Sequence, residues 1–273
     1  MTEYATSADG TRIAFERFGS GHPIILLGGM LSDRQGGRPY ADRLADRFTA
    51  VIVDRRGRGD SGDTAPYDVA REVEDVGAVI GAVGGRASVY GHSSGAGLAF
   101  RAAAAGVPMT ALVLYEPPFG ADDEDSRRRS AELARTVRTS VADGRFADAI
   151  GVFLTSVGLP SDAITGAQAN PGMLGLAHTM PYDHAVMGDE NDGGVIPADL
   201  AARIRVPTLL LAGGASADFF RDTAQRVADL IPGATYRVLE GQDHAAAVEA
   251  VVPVVAEFVA SAAGAAERDQ PDH

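Results

Sequence analysis

Short apolar runs alternate along the chain with stretches whose apolar positions recur at helical spacing. Pro23–Leu27 (Pro-Ile-Ile-Leu-Leu), Thr49–Val53, Ala87–Tyr90, Met109–Tyr115, Thr208–Ala212 and Ala234–Leu239 read as strands. Runs apolar at nearly every position, rather than at every second one, imply burial on both faces and hence a mostly parallel sheet. Between them lie helical patterns at Pro39–Arg47, Val69–Val83, Gly95–Ala105 and Ala217–Leu230. A last helix covers much of Val252–Ala262, with Pro253 in its first turn. At the front, Tyr4–Ser7 and Arg12–Arg17 flank Ala8-Asp9-Gly10-Thr11, whose Asp-Gly pair tolerates the positive φ of a hairpin turn. Strands alternating with helices predict an α/β fold with helices on both faces of the sheet.

The alternation stops between about Pro117 and Arg205. A charged run, Asp122–Arg129, precedes helix-like segments near Ser130–Ala142 and Ala147–Val157, and Ala177 to Asp192 carries Pro181, His184 and several Gly. No strand pattern returns before Thr208. The reading is a core from 1–117 and 206–266, a helical cap from 118–205 inserted over the C-terminal edge of the sheet, and a flexible polar tail from 267–273.

One strand-to-helix junction carries chemistry. Ala87–Tyr90 runs straight into Gly91-His92-Ser93-Ser94-Gly95, and a helix-forming stretch follows at once. This is G-x-S-x-G in the context it requires: strand, sharp turn, helix. The two Gly leave room for backbone at a bend so tight that a Cβ would collide, and Ser93 sits at the apex with its hydroxyl above the sheet. The Ser94 N–H falls at a helix N-terminus, where unsatisfied donors and the dipole favour an oxyanion. His92 adjoins Ser93 and points away from it, which makes it structural.

Composition narrows the field. The net charge is −13 and every basic residue is Arg, so no Lys nucleophile or Schiff base is available, and nucleic acid is disfavoured as a partner. Without Cys there is neither a disulfide frame nor a thiolate metal site, and no metal-ligand spacing occurs. No apolar stretch reaches the ~20 residues of a membrane span, and Met1-Thr2-Glu3-Tyr4 has no signal-peptide character, so the expected location is cytoplasmic. No cofactor is expected, the expected partner is a small-molecule substrate, and the sequence is silent on oligomeric state. Gly57-Arg58-Gly59-Asp60-Ser61-Gly62 is a literal G-x-G-x-x-G, yet Asp63-Thr64-Ala65-Pro66 does not open a helix after it. A Gly-rich turn in which Asp54 satisfies backbone donors suits it better than a dinucleotide site.

Five landmarks in order give the chain its likeness: Leu26-Leu27-Gly28-Gly29-Met30, the Asp54–Gly62 run, the elbow, Tyr115-Glu116-Pro117-Pro118-Phe119, and Gly241-Gln242-Asp243-His244. Over nearly its whole length it resembles bacterial enzymes of the α/β-hydrolase fold, a group that includes esterases and cofactor-free haloperoxidases. The resemblance implies a base after the last strand, where His244 follows a short loop, and a second oxyanion donor from the Met30 N–H. Many relatives carry His-Gly where this chain has Gly28-Gly29. In the usual arrangement the acid follows the strand Thr208–Ala212, where Asp218 is the first carboxylate, although it can equally open the next helix. Glu116, at the end of Met109–Tyr115, competes and is the stronger candidate, because some relatives take their acid from that strand. From the cap and the oxyanion loop, Met180, Tyr182, His184 and Gly29 are candidate substrate contacts, although core packing is the leading reading for most of the apolar ones and a solvated or packed ring for His184.

Ester, thioester or lactone hydrolysis of a small, apolar substrate is the leading expectation. A haloperoxidase- or perhydrolase-like reaction on the same Ser and His is a second, and a binding protein on a hydrolase scaffold a third.

Overall fold

The computed structural model describes residues 1–268. Eight strands form one sheet: β1 Glu3–Thr6, β2 Arg12–Phe18, β3 Pro23–Leu27, β4 Thr49–Val53, β5 Ala87–His92, β6 Met109–Tyr115, β7 Thr208–Gly213 and β8 Thr235–Leu239. Their order is β1-β2-β4-β3-β5-β6-β7-β8, antiparallel at the first two pairings and parallel from β4 onward. The β1–β2 hairpin closes through Asp9-Gly10, with Gly10 at φ 85° and the Asp9 carboxylate accepting the Thr11 N–H at 2.9 Å.

Successive residues of β3 show why the strands are apolar throughout. Ile25 and Leu27 join the core beneath α2 (Val69–Ala82), α3 (Ser94–Ala104) and α11 (Asp218–Leu230); Ile24 and Leu26 join the core beneath α1 (Arg38–Leu44) and α12 (Val248–Arg268). Burying one such aliphatic side chain contributes about 1.5–3 kcal/mol, so a one-residue slip that exchanged the faces would have little to gain and the register rests on side-chain fit. α12 starts earlier than the sequence pattern suggests, which puts Pro253 in its second turn rather than its first. The missing N–H is tolerated because Val251, Val255 and Val259, spaced four apart, bury one stripe against the sheet. Of the tail 267–273, residues 269–273, His273 among them, lie outside the described residues.

Between β6 and β7 the chain forms only helices: α4 Glu124–Ala142, α5 Phe146–Ser156, α6 Ser161–Gln168, α7 Pro171–Leu176, α8 Met180–Met187, α9 Asp189–Asp192 and α10 Ala198–Ala201. The charged run before Ser130 is already helical from Glu124, and Asp123 caps it by accepting the Ser126 N–H at 2.8 Å. Entry and exit of the insertion are stitched by the Gly120 N–H, which donates to Gly194 O at 2.7 Å. These helices share an apolar cluster of their own (Val137, Ile150, Leu154, Ala177, Met180) that also takes in Leu31 from the loop after β3. Among the described residues no helix is long and apolar enough to cross a membrane.

Candidate active site

Among the described residues, three other than glycine have positive φ: Leu31 at 58°, Ser93 at 56° and Glu116 at 46°. They follow β3, β5 and β6, which are neighbours in the sheet, so the unfavourable backbone is gathered at one edge. Such conformations cost on the order of 1–3 kcal/mol each and persist where surrounding structure over-determines them, as at functional sites.

Ser93 caps α3 with φ 56° and ψ −126°. Its N–H donates to Tyr115 O at 3.0 Å and its carbonyl accepts the Ala96 N–H at 2.8 Å, so the bend is held from both sides. A Cβ on Gly91 would lie 2.5 Å from Gly95 O and 2.6 Å from Ala96 Cα, and one on Gly95 would lie 2.5 Å from Gly28 O. Both positions therefore demand glycine, as the elbow requires. A Cβ on Gly29 would sit 3.0 Å from Ser93 Cβ and 3.5 Å from its Oγ, so the loop carrying Met30 lies directly against the hydroxyl.

Glu116 is completely buried and His244 half-buried, and they meet: His244 Nδ1 donates to Glu116 Oε2 at 2.6 Å, while Glu116 Oε1 accepts the Gly213 N–H at 2.8 Å. Burial pushes the Glu116 carboxyl up, but the bonds from His244 and Gly213 and the charge of the imidazole outweigh it and hold the group below the usual carboxylate range. With Nδ1 donating, the neutral ring keeps its lone pair on Nε2, the tautomer a general base needs. Phe220 stacks on the His244 ring at 4.4 Å, and the His92 ring, one residue before Ser93, lies 4.7 Å from it. His92 Nε2 donates to His244 O at 2.8 Å, in keeping with a structural part.

Asp218 goes elsewhere. It opens α11, is largely exposed and pairs with Arg221. The structure thus brings Glu116, and not Asp218, to the imidazole, because β6 and β7 run side by side and end at the same edge while Asp218 belongs to the following helix. Each candidate cap contact has neighbours within the protein. Met180 is fully buried among apolar neighbours. Tyr182 stacks on Tyr67 at 3.9 Å and donates to Asp63 Oδ2 at 2.8 Å. His184 Nδ1 bonds Asp189 Oδ2 at 2.5 Å. Gly29, the fourth candidate, adjoins Ser93, whose Cβ would lie 3.0 Å from a Cβ placed on the glycine. The Gly57–Gly62 loop is a turn around Asp54, whose carboxylate accepts the Arg34 N–H at 2.7 Å and the Asp60 N–H at 2.8 Å.

Sequence reasoning missed a buried ionic cluster beneath the elbow. Asp183 of α8, fully buried, accepts Arg55 Nη1 at 2.7 Å, Arg58 Nη2 at 2.8 Å and Ser94 Oγ at 2.7 Å, and Arg55 Nε donates to Glu72 at 2.7 Å. Burial would raise the Asp183 carboxyl, but the adjoining Arg58 and Arg55 guanidiniums hold it down at about 2. No periodicity announces such a cluster, because its charged members come from the Asp54–Gly62 run and from two separate helices, α2 and α8.

His92 gives the fold a pH dependence. Burial, with the nearby His244 charge, pushes its imidazole down to about 4. In the unfolded chain it titrates near ~6.5, so between those values the unfolded state binds a proton the folded state does not. Stability is therefore expected to fall as pH drops through that window, by up to about 1.4 kcal/mol per pH unit, the ceiling for one proton. His92→Gln should flatten that part of a Tm-against-pH curve; an unchanged slope would assign it to other groups.

The fold and site together define an α/β-hydrolase: a mostly parallel sheet, a Ser on a strained strand–helix bend, and a carboxylate–imidazole pair at the same edge. A family model described as "Alpha/beta hydrolase family" matches residues 19–257. A crystal structure of an alpha/beta hydrolase from Sphaerobacter thermophilus is 50% identical, with TM-score 0.83 over 94% of this chain and 99% of that one. An N-formylmaleamate deformylase from Pseudomonas putida is 38% identical over 117 residues, covering 41% of this chain and under half, 44%, of the deformylase. A 2-(acetamidomethylene)succinate hydrolase from Mesorhizobium japonicum is 27% identical over 83% of this chain and 82% of that protein. The chain belongs to the alpha/beta hydrolase family, and it is an enzyme of the hydrolase type.

Proposed function

We propose that the protein is a serine hydrolase that cleaves an ester, thioester or lactone bond of a small, apolar substrate through an acyl-enzyme. The observation that carries this reading is the 2.6 Å bond from His244 Nδ1 to the buried Glu116, which sets the imidazole beside the elbow with Nε2 as its basic nitrogen. In the first half-reaction Ser93 Oγ bonds to the acyl carbon as His244 Nε2 takes its proton. The tetrahedral oxyanion is met by the Met30 and Ser94 N–H groups. Its collapse breaks the bond to the leaving group, which receives the proton from His244. Water then repeats the sequence and releases the acid and free Ser93. The helices of 118–205 form the cap that shapes the substrate pocket.

The names of two relatives favour a second reading of the same machinery, since formyl and acetamido groups carry their acyl carbon on nitrogen. His244 would then protonate a nitrogen leaving group. Incubation of the purified protein with a fluorophosphonate, followed by peptide mass spectrometry, is expected to place the adduct on Ser93. Parallel assays with p-nitrophenyl esters and N-formyl amides separate the two substrate classes. An active protein with no Ser93 adduct would reject the mechanism, and one that neither reacts nor hydrolyses either class would point to a binding protein.

A further inference from the structure

Resting on the serine-hydrolase reading, we infer that Arg58 and Asp183 are positioning residues that aim both oxyanion donors, so that the hole is assembled only when the inserted helix α8 is docked. Arg58 Nη1 donates to Gly29 O at 2.7 Å and to Ser32 O at 3.2 Å. The Gly29 carbonyl and the Met30 N–H belong to one planar trans peptide and point in opposite directions. Whatever grips that carbonyl therefore sets the direction of that N–H. This peptide also adjoins the nucleophile, since a Cβ on Gly29 would meet Ser93 Cβ at 3.0 Å. Leu31, one residue beyond Met30, has φ 58°, so the loop does not hold this shape by backbone preference; Ser32 Oγ donates to the same Gly29 carbonyl at 3.0 Å from within the loop, and Arg58 is the shorter, charged grip from outside it.

Asp183 connects that anchor to the other donor. Its two carboxylate oxygens each accept Arg58 Nη2 at 2.8 Å, and Oδ1 also accepts Ser94 Oγ at 2.7 Å. Ser94 is the residue whose N–H opens α3 behind Ser93. One carboxylate thus ties the peptide bearing the first donor to the residue bearing the second, across separations of 125 and 89 residues. Asp183 itself comes from the insertion and is fully buried, as is Arg58 with 1% exposure, so neither side chain reaches bulk water. Neither needs to touch substrate. Their effect falls on the geometry of the donors, and misplacement of donors costs more in the transition state than in the Michaelis complex.

The test compares wild type, Arg58→Lys, Asp183→Asn and Ser94→Ala on a p-nitrophenyl ester, with phenylboronic acid as a probe that forms a tetrahedral anion on the nucleophile. Arg58→Lys keeps the buried positive charge but loses the fork that grips Gly29 O and Asp183 together. Ser94→Ala keeps the N–H and removes the bond to Asp183 together with a longer one accepted from Arg55 Nη1 at 3.3 Å, a small uncharged change that carries the test if the charged variants do not fold. In variants with native circular dichroism, kcat is expected to fall about 10- to 100-fold for the charged variants, with Ser94→Ala at the low end of that range. KM should stay within about threefold, and boronate affinity should weaken by a factor similar to the loss in kcat. A loss of kcat below about fivefold, or one carried by KM with boronate affinity unchanged, overturns the inference. Wild type that labels at Ser93 while the folded variants keep their kcat refutes this inference alone. Wild type that does not label refutes the mechanism on which it rests.

Discussion

Ser93→Ala is expected to lower kcat by about 10⁴- to 10⁶-fold, because no other group can supply the nucleophile. The elbow exposes a single hydroxyl at its apex, and the neighbouring Ser94 hydroxyl is committed to buried Asp183 at 2.7 Å. Substitution by the adjacent Ser is therefore closed off by geometry. The residual rate should come from the oxyanion donors and binding alone, which typically leave 10³- to 10⁴-fold over water. Ser93 is not spent on a core contact, so the variant should fold normally; removing the hydroxyl leaves the positive-φ bend and both flanking glycines in place. Steady-state kinetics on the best ester or amide substrate, with Tm as a control, check this. Retention of more than about a tenth of the wild-type rate would exclude Ser93 as the nucleophile.

The second large effect belongs to Glu116. Glu116→Gln preserves the shape of the side chain but replaces the oxygen facing His244 Nδ1 with either a neutral acceptor or a competing donor. By analogy with other triads, kcat should fall by about 10⁴-fold, since the imidazolium formed in the transition state loses its counter-charge and the tautomer is no longer enforced. Asp218→Asn should change kcat by less than about twofold, because that carboxylate is solvated and engaged with Arg221. Comparable losses in the two variants would unseat Glu116 as the acid. A second measurement tests the same bond. Because the folded Glu116 carboxyl is held below its ordinary range, its ionised form stabilises the fold above that range and the contribution disappears as pH falls through the folded value. The stability gap between wild type and Glu116→Gln should thus be widest near neutral pH and close on acidification.

The two acids were hard to separate in the sequence for a physical reason. Each follows a strand that ends at the active edge, and the residue types are interchangeable as partners for an imidazole. What distinguishes them is where the chain goes next. Glu116 is pinned at φ 46° by the Leu211 carbonyl, which accepts its N–H at 3.0 Å, and its side chain is turned inward against Gly213. Asp218 is carried by the short loop of residues 214–217 into the first turn of a helix, where its charge faces solvent and the helix dipole. The cap shows the same limit from another side. Tyr182 and His184 are candidate substrate contacts by their place in the insertion; the structure shows Tyr182 tied to Asp63 of the core and His184 Nδ1 to Asp189 within the insertion, neither of which the sequence announces. Asp183, between them, was invisible as anything but one more charge.

The order of strands and helices, the both-faces-buried strands, the elbow with its two obligatory glycines and the emergence of His244 after the last strand were all determined by the sequence itself. Those features are encoded by near neighbours: periodicity, turn chemistry and steric room operate over a few residues. That Glu116 and not Asp218 meets His244, that Tyr182 meets Asp63 and that Asp183 meets Arg58 were decided only by the tertiary structure. Each depends on which side chains are brought together from segments about a hundred residues apart, and a buried charge takes its meaning from the partner that folding places beside it.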